Sequence, residues 1–345
     1  MKAAIIGASG YTGQILLRLL ENHPKIKTVI PVSSTKAGTP VTDTDAAIGK
    51  PMKKTAETDF RYVSVNAAAE MKPEVVFAAL PHLKSAEVCA PFFNDSVVID
   101  LSADFRIKDR NIFKEAYGQE PPRPDLLDQA VFGLVEVYKK EIKKASLIAN
   151  PGCYPTCTTL PLYPVLKKFR HTGPIVVNAL SGISGAGKNL KENLMYCQRD
   201  ENCGAYNPGK LHRHTQEIEQ ELNKARPGTD IFFTPHLVPL KRGMAVTSFV
   251  SFKKELTDDM IESTLSRFYK NSPFINIVGS GRIPETADVL GSNRCDIGWR
   301  IFGKQVIFMS VIDNLMKGAS GQAVQNMNVR FGFRETAGLN LFGEL

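Results

Sequence analysis

The sequence lacks a long apolar run. No stretch of its 345 residues approaches the roughly 20 consecutive apolar residues that a membrane-spanning helix needs. The first residues, MKAAIIGASG, lead directly into an apolar stretch and a glycine turn. This leaves no space for the charged, apolar and cleavage regions of a secretory signal. We therefore expect a soluble, cytoplasmic protein with no membrane partner.

Cysteine is also scarce, and basic residues form no contiguous stripe. The six cysteines are scattered, which favours free thiols over a disulfide framework when no secretory signal is present. Cys153 and Cys157 form a CxxxC pair that matches no common zinc spacing, so we expect no metal site. The net charge is +8, but the lysines and arginines are dispersed. This disfavours a nucleic-acid partner and suits a small anionic ligand.

The length and the hydrophobic pattern indicate two domains. Up to residue 150, apolar strand-like runs alternate with helical ones, which predicts βαβ units around a parallel sheet. After about residue 170, longer alternating runs such as MAVTSFVSFKK predict a mostly antiparallel sheet covered on one side by helices. The small-residue segment after residue 313 predicts a helix that packs back on the first domain. We thus predict an α/β domain of residues 1–150 and 314–345 and an α+β domain of residues 151–313.

A strand, a glycine turn and an amphipathic helix open the chain as AAIIGASGYTGQILLRLL. Gly7, Gly10 and Gly13 permit a tight turn and a close approach to a pyrophosphate, whose charge the N-terminus of the helix would stabilise. The GxxGxxG spacing and this context predict a dinucleotide-binding site of the Rossmann type.

The end of the second strand, VSSTKAG, indicates which dinucleotide binds. An NAD-specific site would offer a carboxylate to the ribose hydroxyls at this point, and none is present. Ser33, Ser34 and Lys36, together with Thr35, would instead accept a 2′-phosphate. The sequence therefore predicts NADP.

A second glycine-rich stretch, SGISGAGKN, offers an alternative interpretation. Gly182, Gly187 and Lys188 have the spacing of a nucleotide-binding P-loop, but Asn189 stands where magnesium binding needs a serine or threonine hydroxyl. We favour a backbone-rich loop beside a substrate, in which Ser181 donates a hydrogen bond.

The turn ANPGCYPT places Cys153 just ahead of a predicted helix. The N–H groups and the positive end of that helix would favour the thiolate, and a thiolate near a nicotinamide indicates chemistry on an acyl group. Cys157, one helical turn later, is interpreted as a packing residue.

Acid–base partners for this thiol are offered by the segment LHRHTQEIEQ. His212 and His214 precede a predicted helix, and Glu217 follows one turn later, able to orient an imidazole. Arg106 lies in DLSADFRIKD at the carboxyl end of a strand, where ligands bind in open α/β sheets. It could bind a phosphate or carboxylate, or equally form a salt bridge with Asp104 or Asp109.

Taken together, the chain resembles the N-acetyl-γ-glutamyl-phosphate reductase family over nearly its whole length. The shared segments, in the same order, are GASGYTG, AALPH, VIDLSADFRIKD, ANPGCYPT, SGISGAG, HRHTQEIEQ, GSNRCDIG and DNLMKGASGQAVQNMN. Aspartate-semialdehyde dehydrogenase is a relative in fold and mechanism, but Met244 stands where that enzyme usually carries its histidine. Leu83 is a departure from the pattern, because the family usually has glycine after the Pro-His pair.

The resemblance implies a Rossmann domain closed by the C-terminal helix, a catalytic and subunit-contact domain, and a homotetramer or homodimer. It makes Cys153 the nucleophile, with His214, His212 and Glu217 in acid–base chemistry. It places Arg106, Ser181, Gly182 and Tyr206 at the substrate. For the cofactor it implies Gly7, Ser9, Gly10, Tyr11, Thr12, Gly13, Ser33, Ser34, Lys36, Leu80, Pro81, His82, Ser184 and Asn314.

The implied reaction is the NADPH-dependent reduction of an acyl phosphate to an aldehyde through a cysteine thioester. The sequence leaves open whether the substrate is the N-acetylglutamyl phosphate or an α-aminoadipyl or aspartyl phosphate. It also leaves open which of His212 and His214 faces the sulfur.

Overall fold

A computed structural model describes residues 1–46, 53–188 and 191–344 of the chain. The described residues divide into two compact units. The first comprises residues 1–114, 119–151 and 319–339, and the second comprises residues 115–118, 152–318 and 340–345. No described helix is long and apolar enough to cross a membrane.

The first unit is built on a six-stranded sheet in which every pairing is parallel. The elements up to residue 149 are β1 Lys2–Ile6, α1 Tyr11–Glu21, β2 Thr28–Val32, α2 Val65–Glu70, β3 Val75–Ala78, α3 Ser85–Val88, β4 Val97–Asp100, α4 Arg110–Tyr117, α5 Pro124–Leu127, β5 Val131–Phe132, α6 Val135–Ile142 and β6 Leu147–Ala149. The strand order is β2-β1-β3-β4-β6-β5. The predicted parallel sheet of a Rossmann-like α/β domain is thereby confirmed.

The register of this sheet aligns the ends of four strands. Ile6 pairs with Ala78, Ala78 with Asp100, and Asp100 with Ala149. The carboxyl ends of β1, β3, β4 and β6 therefore form one row. The turns that follow β1, β3 and β4 all leave the sheet from this edge, which is where open α/β sheets bind ligands.

The second unit contains a seven-stranded sheet of order β11-β12-β13-β10-β7-β9-β8. Its elements are α7 Cys153–Lys168, β7 His171–Gly182, α8 Tyr196–Arg199, β8 Gly204–Ala205, α9 Arg213–Ala225, β9 Ile231–Val238, β10 Met244–Phe252, α10 Asp258–Phe268, β11 Ile275–Gly279, β12 Cys295–Phe302 and β13 Gln305–Ile312. The β7–β9 and β11–β12 pairings are parallel and the other four are antiparallel. This confirms the predicted mostly antiparallel sheet.

Burial alternates along β7 and β10, so that one face of this sheet is covered and the other is open. The covering helix is α7, which packs against β7, β10 and β13 and is itself flanked by α9 and α10. A sheet with one covered face produces the alternation of apolar and polar residues that is visible in the sequence.

The chain returns to the first unit through a π-helical turn, Met316–Ser320, followed by α11 Gly321–Arg330. Every residue of α11 from Gly321 to Val329 is buried. The helix packs against α6, α1 and β4, and the side-chain amides of Gln322 and Asn326 donate to the carbonyl oxygen of Gly133.

The compact units differ from the predicted domains at the C-terminal end. Residues 314–318 and 340–345 belong to the second unit, whereas the sequence pattern assigned them to the first. Local contacts explain this division. The backbone N–H of Gly243 donates to the side chain of Asn314, and that of Glu344 donates to the carbonyl of Leu290.

Candidate active site

The glycine turn after β1 is closed so tightly that side chains would not fit. A Cβ atom at Gly7, whose φ is +82°, would lie 2.2 Å from the carbonyl oxygen of Ala79. A Cβ atom at Gly13 would lie 2.3 Å from the carbonyl oxygen of Gly7. Gly10 caps α1 and has no side chain to bond the backbone N–H groups of the first helical turn. These features fit a pyrophosphate, as the sequence predicts.

Most of the other predicted cofactor residues also lie in the first unit. The hydroxyl of Ser9 is 3.4 Å from that of Ser33, Ser34 is exposed, and the ammonium group of Lys36 donates to the hydroxyl of Thr44. Tyr11 begins α1. The carbonyl of Thr12 accepts a hydrogen bond from Ser320.

The segment Leu80–His82 follows β3 and lies beside the glycine turn. The Cδ2 atom of Leu80 is 3.5 Å from the position that a Cβ of Gly7 would occupy. Pro81 is exposed and His82 is half-buried. The structure thus brings this segment to the dinucleotide turn within one unit.

Ser184 and Asn314, in contrast, lie in the second unit. Asn314 donates to the hydroxyl of Ser184 over 3.0 Å and accepts from the backbone N–H of Gly243 over 2.8 Å. The glycine-rich loop that contains Ser184 forms a 3₁₀ turn over Ile183–Ala186. Asn189, on which the P-loop alternative depends, lies outside the described residues.

Cys153 is the first residue of α7, and Gly152 caps that helix without a side-chain hydrogen bond. The N–H of Gly152 donates to the buried carboxylate of Glu217 over 2.9 Å. Glu217 therefore holds the backbone at the cysteine, and its role in orienting an imidazole stays a prediction. On the other side of the thiol, a Cβ atom at Gly318 would lie 2.7 Å from the Cβ of Cys153.

The two histidines play different structural parts. His214 lies against Gly152, because a Cβ atom there would stand 2.5 Å from its Nε2 atom. His212 caps α9, and its Nδ1 atom accepts from the backbone N–H of His214. This bond leaves the proton of a neutral His212 on Nε2. Of the pair, His214 is the one that approaches the residue before Cys153.

Aromatic rings enclose His212, which contacts Tyr154, Tyr206 and Phe233 edge-on. Burial, assisted by the positive charge of Arg213, lowers the pKa of His212 to about 4. The imidazole is therefore neutral at physiological pH.

Tyr154 is a site residue that the sequence analysis missed, although it directly follows the cysteine. Its phenol lies 3.0 Å from that of Tyr206 and also hydrogen-bonds Ser181. It thus joins two residues predicted at the substrate. Burial raises the pKa of Tyr154 and raises that of Tyr206 to about 12, and the charge of Cys153 adds to both shifts. Both phenols therefore keep their protons near the sulfur.

The remaining predicted substrate residues are Gly182 and Arg106. The backbone N–H of Gly182 donates to the carbonyl of Gly243, and a Cβ atom there would lie 2.9 Å from the N atom of Arg242. Arg106 lies in the first unit, where its buried guanidinium donates to the carbonyl of Leu101 over 2.7 Å.

Cys157 is fully buried on α7, which agrees with its interpretation as a packing residue. Its sulfur lies 3.4 Å from the hydroxyl of Ser310, and burial raises its pKa to about 12. Among the described residues, no group of three His, Cys, Asp or Glu side chains could hold a metal ion.

Comparisons with known proteins match both units. A profile of the semialdehyde dehydrogenase NAD binding domain matches residues 2–145, and one of the semialdehyde dehydrogenase dimerisation domain matches residues 153–314. A protein of Halothermothrix orenii named N-acetyl-gamma-glutamyl-phosphate reductase is 41% identical over 351 residues, which cover 99% of each chain. A protein of Geobacter sp. strain M21 with the same name is 44% identical over 347 residues, or 99% of this chain and 98% of the relative.

The chain belongs to the N-acetyl-γ-glutamyl-phosphate reductase family. Solved structures agree on the fold of this reductase family member. Aspartate semialdehyde dehydrogenase II of Vibrio cholerae, complexed with ASA, gives a TM-score of 0.73 at 17% identity and covers 96% of this chain and 98% of its own. The Candida albicans enzyme with NADP gives 0.65 at 16% identity, covering 95% and 97%. At these identities, the likeness shows the fold alone.

Proposed function

We propose that the protein reduces N-acetyl-L-glutamyl 5-phosphate with NADPH, forming N-acetyl-L-glutamate 5-semialdehyde and phosphate in arginine biosynthesis. Near-complete alignment with reductases of that name supports this proposal. The observation that carries it is the convergence on one helix start: Gly152 contacts both the Nε2 atom of His214 and the carboxylate of Glu217, directly before Cys153.

The proposed first step is attack of the Cys153 sulfur on the acyl carbon. The carbon–sulfur bond forms, the bond to the phosphate oxygen breaks, and phosphate leaves with a thioester on the enzyme. At the start of α7, the backbone N–H groups of Cys153 and Tyr154 are the proposed donors to the carbonyl oxygen as it becomes negative, since Pro155 has no N–H and that of Thr156 donates to the carbonyl of Gly152. Gly152 itself is not available, because its N–H already donates to Glu217.

His214 is the proposed acid and base, because its Nε2 atom lies beside the residue that precedes the cysteine. It would accept the thiol proton before attack and later protonate the oxyanion of the thiohemiacetal. It would then take the hydroxyl proton back as the carbon–sulfur bond breaks, which releases the aldehyde and returns Cys153 as the thiolate. His212 is instead a positioning residue. Its Nδ1 atom fixes the start of α9, and the low pKa of His212 keeps it uncharged.

NADP use fits the first unit. The uncapped turn at Gly7, Gly10 and Gly13 would hold the pyrophosphate, and Ser33, Ser34 and Lys36 would hold the 2′-phosphate, with no carboxylate among them to repel it. Leu80–His82, Ser184 and Asn314 are proposed further cofactor contacts. When bound, NADPH supplies the hydride that reduces the thioester.

For the substrate we propose Ser181, Gly182 and Tyr206, whose hydroxyls and backbone lie in one hydrogen-bonded group with Tyr154. The phenols that stay protonated can donate to substrate oxygens. Arg106 is the proposed phosphate partner, and its guanidinium also donates to the carbonyl of Leu101.

We also propose a homo-oligomer formed through the open face of the second sheet. Val176 pairs in register with Phe232 on one side and with Phe249 on the other, and all three are exposed. Such a row of large apolar side chains suits a second copy of the chain. The match of residues 153–314 to a dimerisation domain supports the homo-oligomer. Sedimentation would distinguish a dimer from a tetramer. The cytoplasmic location stays a prediction.

The test is the reverse reaction, followed as NADPH absorbance with N-acetylglutamate 5-semialdehyde, phosphate and NADP. We expect turnover in the wild type, loss of turnover in Cys153→Ala, and retained turnover in Cys157→Ala, which removes a buried thiol from the same helix. Full activity of Cys153→Ala would refute the thioester mechanism. If the enzyme were inactive with the acetylglutamyl compound but active with the aspartyl or α-aminoadipyl semialdehyde, the proposed substrate would be wrong.

A further inference from the structure

Two buried carboxyl groups lie at the end of β4, outside the residues used above. Asp100, Ser102 and Asp104 are all fully buried, as is Ser85 at the start of α3. The hydroxyl of Ser102 is 2.9 Å from an oxygen of Asp100, 2.9 Å from an oxygen of Asp104 and 2.7 Å from the hydroxyl of Ser85. One serine oxygen therefore links both acids.

Asp104 makes two hydrogen bonds to the backbone at the start of α3. Its two oxygens accept separate N–H groups, from Leu83 over 2.6 Å and from Ala86 over 3.0 Å. An ionised carboxylate is acceptor-only and has two accepting oxygens, which suits this pair of bonds. The N–H of Asp104 itself donates to the hydroxyl oxygen of Ser102 over 3.2 Å.

Asp100 bonds Ser102 through both of its oxygens: Oδ1 accepts from the backbone N–H of Ser102, and Oδ2 accepts from its hydroxyl. Burial, reinforced by the charge of Asp104, raises the pKa of Asp100 to about 6. The thiol of Cys89 also faces this pair, and burial beside the two acids raises its pKa well above the usual value.

The charged Asp104 holds a turn that the chain would otherwise avoid. Leu83 has a φ of +65°, a left-handed conformation that residues with a Cβ atom rarely adopt. Its N–H makes the shorter of the two bonds to Asp104. A charge-assisted hydrogen bond can offset the steric cost of such a residue. Leu83 directly follows Leu80–His82, the segment that lies beside the glycine turn.

We propose that Asp104 is a positioning residue for the cofactor. Its bonds to the N–H groups of Leu83 and Ala86 fix residues 83–86 and thereby hold the Leu80–His82 segment against the dinucleotide turn. This inference rests on the proposed role of Leu80–His82 in binding NADPH.

The first test compares two substitutions of the same size, Asp104→Asn and Asp100→Asn. Asp104 accepts two backbone N–H groups on separate oxygens, and asparagine has only one accepting oxygen. Asp100 accepts one backbone N–H, which the oxygen of asparagine can also accept. We expect Asp104→Asn to raise the dissociation constant and KM for NADPH about tenfold or more, with a smaller change in kcat, and Asp100→Asn to remain close to wild type. Asp109→Asn is the control, because Asp109 also accepts two backbone N–H groups but at the start of α4.

A rescue experiment separates positioning from loss of folding. In a Leu83→Gly background the turn has no Cβ to strain it, so adding Asp104→Asn should weaken NADPH binding less than it does in the wild type. Equal effects of Asp104→Asn in both backgrounds would overturn the proposal, as would equal effects of the Asp100 and Asp104 substitutions.

Amide hydrogen exchange of residues 80–88 keeps this test independent of the proposed function. Faster exchange in Asp104→Asn, but not in Asp100→Asn or Asp109→Asn, is expected even in the absence of cofactor. Unchanged exchange in Asp104→Asn would overturn the anchoring role. Faster exchange with unchanged NADPH affinity would overturn the link to the cofactor. A wild type that binds no NADPH would instead refute the proposed function.

Discussion

The Nε2 atom of His214 and the Cα atom of Gly152 are packed so closely that no side chain fits between them. A Cβ atom at Gly152 would stand 2.5 Å from that nitrogen, well inside van der Waals contact. Gly152 also has ordinary backbone angles, with φ −69° and ψ 159°. The glycine is therefore required by the histidine and not by the backbone conformation.

Gly152→Ala should displace His214 and lower kcat by about a hundredfold, because misplacement of a catalytic group by about 1 Å has effects of that size. Since the backbone angles suit alanine, the protein should still fold. The measurement is steady-state turnover together with thermal unfolding. Gly281→Ala is the matched control, since a Cβ atom there meets nothing within 4 Å. If both variants were equally active, His214 would not act at this position.

Stability should rise with pH through the titration of His212. The pKa of His212 is lowered to about 4 in the folded chain against about 6.5 in the unfolded chain. The unfolded state thus binds more protons between these values, and stability increases over that window and levels off above about pH 6.5. The full difference is on the order of 3 kcal/mol.

His212→Asn tests this directly, because asparagine can still accept from the N–H of His214 but does not titrate. Urea unfolding of wild type and variant between pH 4.5 and 7.5 should show a flatter pH dependence in the variant. The buried Asp100 acts in the opposite direction, since its raised pKa of about 6 makes stability fall as pH rises toward 6. Because wild type and His212→Asn both contain Asp100, its contribution cancels when the two are compared. An equal pH dependence of stability in both proteins would contradict the assignment of the stability change to His212.

Ser34→Asp should shift the cofactor preference from NADPH toward NADH. Ser34 is exposed at the end of β2, where an added carboxylate would repel a 2′-phosphate and could bind ribose hydroxyls. We expect the KM for NADPH to rise at least about tenfold, and less so at high salt. Asn94→Asp, which adds the same charge at another exposed position of this unit, should leave both cofactors unaffected. If the ratio of the KM values for NADPH and NADH were unchanged in Ser34→Asp, the 2′-phosphate would bind elsewhere.

Much of the fold could be predicted because its strands are short apolar runs that alternate with helical segments along the sequence. β1, β3 and β4 are buried on both faces, and such runs are visible without knowledge of their partners. The parallel pairing of β7 with β9 could not be predicted in this way. Strand pairing depends on contacts between distant parts of the chain, and periodicity within one strand carries no information about its neighbour.

In the candidate site, too, some features could be predicted from the sequence and others could not. The cysteine and the histidine pair are visible because their spacing is unusual, but their distinct parts follow from packing: aromatic rings enclose His212, and glycine admits His214. Glu217 illustrates the limit, since its hydrogen bond to the backbone N–H of Gly152 links two segments that are far apart in the sequence and could not be predicted from spacing. The sequence offers Asp104 as a salt-bridge partner of Arg106, and the structure shows it fully buried, accepting from the N–H groups of Leu83 and Ala86.

The position of α11 has a consequence for synthesis of the chain. Residues 319–339 belong to the first unit, where α11 packs against α1, α6 and β4, and yet they are translated after the whole second unit. When β6 has been translated, all strands of the first sheet have been synthesised, but α11, which packs on this unit, has not. We expect the emerging first unit to bind chaperones until residue 339 has left the exit tunnel, while the second unit can assemble its sheet in the meantime.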